Sequence, residues 1–176
     1  MQIGIYGGSF NPIHFGHIGL AKWVVAHTDL EEVWLMVSPN NPLKDRRILA
    51  DEQTRWIAVQ KAIAGIDGLR ASDFEFHLPH PSYTADTMRA LNAAYPEHRF
   101  SLIIGEDNLA ILPRWREWEF LVSHYRIFVY PRHGTHSITL PDSIANNKQI
   151  IRLEGAPYFD ISSTEIREGR KNLQVF

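Results

Sequence analysis

The sequence contains no cysteine, which excludes disulfides, thiolate nucleophiles and thiolate-bound zinc. It also lacks a dominant charge. Its 18 basic residues face 20 acidic ones for a formal net charge of −2, so no global positive field draws in nucleic acid, and any phosphate must be met locally. No apolar run approaches the roughly 20 residues that span a bilayer. The opening Met1-Gln2-Ile3-Gly4-Ile5 has no basic region ahead of an apolar stretch, so no secretory signal is expected. Repeats and low-complexity segments are missing as well. What is present is a 176-residue chain with 44% hydrophobic residues, enough for one domain over 1–176. It is expected in the cytoplasm, with no membrane and no nucleic-acid partner; homo-oligomer formation stays open.

The apolar runs alternate with helical patterns. A run over 2–6 reaches Gly7-Gly8, read as a glycine turn, and Ile18, Leu20, Ala21, Val24 and Val25 then follow at helical spacing. Val33 to Val37 reads as a strand that ends in the irregular Ser38-Pro39-Asn40-Asn41-Pro42, and the loop beyond it carries Lys44, Arg46 and Arg47. Asp51 predicts an N-cap for a helix running to Gly65, with Trp56, Ile57, Val59, Gln60 and Ile63 fitting its pattern. A strand is expected within Leu69 to Phe76, then a helix capped by Ser82 or Thr84 with Met88, Leu91 and Ala94 facing inward. Further strands are expected over Phe100–Ile104, Ile127–Tyr130 and Ile150–Leu153, and a last short helix over Ser162–Glu168. Continuously apolar strands alternating with helices predict an α/β fold, a parallel sheet covered on both faces with ligands beyond the carboxyl ends of its strands.

The densest chemical signal is Gly7-Gly8-Ser9-Phe10-Asn11-Pro12-Ile13-His14-Phe15-Gly16-His17, between the first strand and the first helix. Glycines admit close backbone approach, a helix start favours phosphate, and two imidazoles three residues apart can donate to oxygens that gain charge. The plainer reading makes the glycines a tight turn and the histidines caps. A zinc reading is weaker, because the pair lacks the Glu of a His-Glu-x-x-His helix. His77 and His80 repeat the spacing between prolines and read as structural or solvated, although with His14 and His17 they make a conceivable four-histidine set. The second signal is Ile161-Ser162-Ser163-Thr164-Glu165-Ile166-Arg167, a hydroxyl-rich helix start with one guanidinium. It also reads as an ordinary capping box, Ser162 with Glu165, and the two readings are compatible.

These two stretches resemble the signature motifs of the bacterial nicotinate-nucleotide adenylyltransferases. Ser82-Tyr83-Thr84-Ala85-Asp86-Thr87, Ile104-Gly105-Glu106-Asp107 and Trp115-Arg116-Glu117-Trp118 resemble the same family in order. The His-x-Gly-His element alone is shared with other nucleotidyltransferases and with class I aminoacyl-tRNA synthetases. The resemblance implies a Rossmann-like doubly wound parallel sheet that transfers the adenylyl group of ATP to nicotinate mononucleotide, with Mg2+ bound through the ATP phosphates.

Carried over residue by residue, the resemblance puts His14, His17 and Lys44 on the ATP phosphates, with Ser163, Thr164 and Arg167 on the pyrophosphate portion. Gly8, Ser9 and Phe10 line the ATP site, while Gly105 and Asp107 meet the adenosine, Asp107 at the ribose hydroxyls. Thr84 and one of Trp115 and Trp118 bind the nicotinate ring, and one of Arg46, Arg47 and Arg132 its phosphate. No residue is assigned as a metal ligand. Three features depart from the family pattern: Asn11 where Asp is common, Leu43 where His is frequent, and an end nine residues after Arg167. The alternatives are another acceptor, nicotinamide mononucleotide or phosphopantetheine, or a nucleotide-binding module without turnover.

Overall fold

The computed structural model describes residues 1–40, 50–132, 140–158 and 162–169. Six strands form one sheet: β1 (Gln2–Gly8), β2 (Glu32–Val37), β3 (Leu69–Ser72), β4 (Arg99–Gly105), β5 (Ile127–Tyr130) and β6 (Ile150–Arg152). Their order is β3-β2-β1-β4-β5-β6, and every neighbouring pair is parallel. Chain progression therefore reverses between β1 and β4, and a crevice opens there beyond the carboxyl ends of the strands.

Alternation along each strand feeds two cores. Ile3 and Ile5 of β1, Trp34 and Met36 of β2 and Leu102 of β4 face one side. There they meet Met88 and Leu91 of α3 (Thr84–Ala94), Leu109 of α4 (Glu106–Ile111) and Leu121 of α5 (Trp118–His124). Tyr6, Leu35 and Ile103 face the other side, against Ile18 and Val24 of α1 (Phe15–His27) and Val59 and Ile63 of α2 (Glu52–Ile63). Apolar side chains on both faces of each central strand explain why these runs read as continuous in sequence. Two short helices complete the described chain, α6 (Asp142–Ala145) and α7 (Ser163–Arg167). No helix among the described residues is long and apolar enough to cross a membrane.

Several local expectations need correction. Gly7 and Gly8 are not a turn; they are the last residues of β1 and pair with Met36 and Val37. β3 stops at Ser72, whose Oγ accepts from the Phe74 amide at 3.3 Å and bends the chain into a 3-10 turn over Phe74–His77. Neither Ser82 nor Thr84 caps α3; Tyr83 stands at its N-cap without a side-chain bond, and Ala94 is exposed while Ala85 is buried. In α2, capped as expected by Asp51 onto the Gln53 amide at 3.2 Å, Ile57 is 47% exposed and the inward row is Arg55, Val59 and Ile63. An inward arginine at i, with apolar residues at i+4 and i+8, needs polar partners inside, and these lie in the site.

Candidate active site

The turn from β1 into α1 is built around its two histidines. His14 is the N-cap of α1, and its Nδ1 accepts from the Gly16 amide at 3.1 Å. His17 Nδ1 accepts from the His14 amide at 3.2 Å. This is a capping box made of imidazoles instead of Ser and Glu. The plainer reading, histidines as caps, is therefore correct as far as it goes. Because both Nδ1 atoms accept, each neutral ring carries its hydrogen on Nε2 and keeps it for a ligand. The rings stack at 3.7 Å between centroids.

Both rings are held neutral. Burial, and then the Arg132 cation, push His14 down to about 4. Burial, His14 and Arg132 hold His17 well below its ordinary value. Phe10 helps fix the arrangement: it adopts a left-handed φ of 46°, costing roughly 1 kcal/mol or more for an L residue. Its ring lies edge-on to His17 at 5.0 Å and to Tyr6 at 5.7 Å. α1 has no acidic residue in its first turn, so no carboxylate of its own offsets its positive end, while the Glu165 carboxylate acts on His14 from outside the helix.

The neutral pair has a consequence for acid stability. An unfolded chain protonates both imidazoles as pH falls below about 6.5, whereas the folded one resists, down to about 4 for His14. Protons thus favour the unfolded state, and stability is lost as pH drops through that window. Glu75, raised by burial to about 7, opposes this trend. The urea midpoint of a His14→Gln, His17→Gln protein is therefore expected to fall less between pH 7 and pH 5 than that of the unaltered protein. Equal falls in both proteins would show that the imidazoles are not held neutral.

The two sequence signals meet physically. Ser163 Oγ donates to the Pro12 carbonyl at 2.7 Å, and the Arg167 guanidinium donates to the Asn11 carbonyl and, at 3.2 Å, to Thr164 Oγ1. α7 is thereby fastened onto the β1–α1 turn. Ser162 caps it as a capping box, accepting from the Glu165 amide at 3.2 Å and donating to its carboxylate at 3.0 Å. The Ser163 hydroxyl hydrogen is spent on Pro12, so that residue can offer a phosphate its backbone amide alone, while Thr164 keeps its hydroxyl hydrogen.

At the end of β4, Gly105 leaves room for a charged cluster. A Cβ there would lie 2.5 Å from Asp107 Oδ1 and 2.8 Å from Arg132 Cγ. Asp107 Oδ1 stands 3.7 Å from Arg132 Nε, both side chains being half exposed and open to a ligand. Gly105→Ala is expected to push Asp107 aside and raise the Michaelis constant for ATP about tenfold, or about 1.4 kcal/mol. An unchanged constant in a folded variant would remove Asp107 from the nucleotide site. Arg132, placed among the acceptor-phosphate candidates by sequence, sits with Asp107 and close enough to His14 and His17 to depress both.

A cavity of about 250 Å³ adjoins Gly7 and Gly8. Thr84 and Trp115 line it, with Met88 and Leu102 among its apolar walls and Glu75 and Asn108 among its polar ones. Trp118 does not line it; this residue opens α5 and packs on the core. Lys44, Arg46 and Arg47 lie outside the described residues. No group of three or more His, Cys, Asp or Glu among the described residues is placed to hold a metal.

Sequence reasoning missed Arg55, which is 2% exposed. It donates to the Ser9 carbonyl at 2.7 Å, the Ala50 carbonyl at 2.9 Å and Asn40 Oδ1 at 3.1 Å. It therefore ties α2 to the β1–α1 connection at Ser9 and to both flanks of 41–49. The Ala50 amide also reaches Asn11 Oδ1 at 3.3 Å, which gives the amide at position 11 a structural task. The one signal for Arg55 in the sequence was its spacing from Val59 and Ile63.

Comparison with known proteins shows the family. Residues 5–169 match the family described as cytidylyltransferase-like. A protein of Flavobacterium psychrophilum named "Probable nicotinate-nucleotide adenylyltransferase" is 44% identical over 172 residues, covering 98% of this chain and 88% of its own length. A protein of the same name from Bacteroides fragilis is 47% identical over 169 residues, covering 95% of this chain and 81% of its own. Among solved structures, the nicotinic acid mononucleotide adenylyltransferase of Plasmodium falciparum complexed with NaAD superposes with a TM-score of 0.74 at 20% identity. That match covers 95% of this chain and 82% of the other and speaks for the fold. The chain belongs to the cytidylyltransferase-like family and, within it, to the nicotinate-nucleotide adenylyltransferases.

Proposed function

We propose that the protein transfers the adenylyl group of ATP to nicotinate mononucleotide, giving nicotinate adenine dinucleotide and pyrophosphate, a step of NAD biosynthesis. The observation that carries this reading is the pair of neutral imidazoles at the start of α1, beside a cavity lined by Thr84 and Trp115. The flat pyridine ring enters that cavity against the indole, and the triphosphate lies along the turn toward α7. An oxygen of the acceptor phosphate forms a bond to the α-phosphorus. The bond from that phosphorus to the α,β-bridging oxygen breaks, and its electron pair leaves with pyrophosphate. A phosphate monoester is already ionised at neutral pH, so no general base is needed, and positioning with charge stabilisation suffices.

The chain's own residues divide this work. His14 and His17 donate from Nε2 to oxygens that gain charge, Arg167 and the Thr164 hydroxyl hold the leaving portion, and Asp107 meets the ribose. Lys44 is assigned to the same phosphates, and one of Arg46, Arg47 and Arg132 to the acceptor phosphate. Magnesium, when bound with ATP, would neutralise charge on the phosphate oxygens; among the described residues no carboxylate cluster is placed to hold it independently of ATP.

The test uses ATP labelled at the α-phosphorus, with nicotinate mononucleotide and magnesium. The label is expected in a dinucleotide product and never on the protein. Label retained on the protein would contradict direct transfer.

A further inference from the structure

The cavity holds one ionisable group for which the transfer itself has no use. Glu75 comes from the 3-10 turn after β3 and lines the same space as Thr84 and Trp115. The acceptor phosphate attacks at the other end of the acceptor molecule, so a carboxyl beside the ring takes no part in the chemistry. It does bear on which ring is accepted. A pyridine carboxylate and a pyridine carboxamide have nearly the same shape. The first is an anion that only accepts hydrogen bonds, and the second is neutral and donates two. A hydrophobic slot separates such isosteres poorly, whereas a polar group that must be matched separates them well.

On this basis, and resting on the reading above that the acceptor is a pyridine mononucleotide, we propose that Glu75 reads the ring substituent of the acceptor. It donates to a carboxylate in its protonated form and accepts from a carboxamide in its ionised form. The surroundings support both states. Burial raises the Glu75 carboxyl to about 7, while a hydrogen bond with Thr87 acts in the opposite sense. The Thr87 hydroxyl also donates to the Tyr83 carbonyl at 3.2 Å. It has one hydrogen to place, toward Tyr83 when Glu75 is protonated and toward Glu75 when it is ionised.

Among the described residues lining the cavity, the other titratable group is Tyr130 of β5; burial raises that phenol above its ordinary value, Asp107 acts in the same sense and Arg132 in the opposite one, and it stays neutral. On the turn itself Asp73 pairs with His77 at 3.3 Å in an exposed position. On α3, Asp86 stands 3.4 Å from Arg89, which in turn clamps Glu117 at 2.7 Å. From α2, uncharged Trp56 packs edge-on to Phe76 at 6.5 Å between centroids.

The experiment is steady-state turnover of nicotinate and nicotinamide mononucleotides at pH 6 and pH 8.5, with saturating ATP and magnesium, for the unaltered protein and Glu75→Gln. Taking the ratio of kcat/KM for the two acceptors cancels the titration of the phosphate they share. In the unaltered protein the nicotinate-to-nicotinamide ratio is expected to fall about tenfold or more from pH 6 to pH 8.5, as Glu75 ionises. The change should reside in the acceptor KM. In Glu75→Gln the ratio is expected to be flat with pH and the KM for ATP unchanged. Turnover with a pH-independent ratio in the unaltered protein overturns the proposal alone, and that measurement needs no variant to fold. A ratio that moves equally in both proteins overturns it as well. Absence of turnover with either acceptor overturns the acceptor reading, and this proposal with it.

Discussion

Replacing His17 by alanine is expected to lower kcat by about 10²-fold or more, the scale on which a preorganised hydrogen-bond donor to a developing anion acts. The expectation follows from where the hydrogens are. His17 Nδ1 is occupied by the His14 amide, so the hydrogen it can offer is on Nε2. The ring is kept neutral by burial and by the neighbouring His14 and Arg132. A neutral donor held by Phe10 and Tyr6 needs no reorganisation when charge appears on a phosphate oxygen. The same substitution removes half of a capping box, which costs about 1 kcal/mol. A thermal melt should therefore shift by a few degrees while the rate collapses. A folded His17→Ala protein with near-normal kcat would remove the imidazole from the transition state.

The second large effect is expected at Arg55 and is one of stability. Its three hydrogen bonds hold Ser9, Ala50 and Asn40, segments that approach one another only in the folded chain. Burial weakens its hold on its own proton, and Glu52 and Asp51 partly restore it. Arg55→Ala removes the donors and leaves a void, at an expected cost of about 2–4 kcal/mol read from the urea midpoint. Arg55→Met keeps much of the volume and loses the donors, so it separates packing from hydrogen bonding. Most of that loss is expected to persist in Arg55→Met, because the donors are gone in both variants, with turnover falling as the connection at Ser9 loosens. An Arg55→Met protein as stable as the unaltered one would show that the pinning bonds are idle.

The contrast between these two residues shows what the sequence discloses. His17 is legible because it lies in a dense local motif, and α1 and the strands around it follow from runs such as Val33–Val37 that are apolar at every position. Arg55 is not, because an arginine in a helix reads as a solvent residue until its partners, tens of residues away, are brought to it. Ile57, which fits the same helical pattern, is by contrast exposed. Gly7 and Gly8 mislead in the opposite direction: glycine weakens a strand, yet their backbones are held by β2 in parallel register. The 3-10 turn after β3 hides Glu75, since a lone carboxylate in an expected strand carries no signal until the cavity around it exists. The sequence displays both motifs, which touch in the fold. It gives no hint that Ser163 spends its hydroxyl hydrogen on Pro12, a contact between the two ends of the chain.

The most direct measurement is pyrophosphate release from ATP and magnesium near pH 7, with nicotinate mononucleotide as acceptor and with no acceptor. Release that requires the acceptor, and that His17→Ala suppresses by about 10²-fold, is the predicted result. Release that proceeds equally without acceptor, or none at all despite bound ATP, would contradict adenylyl transfer at this site.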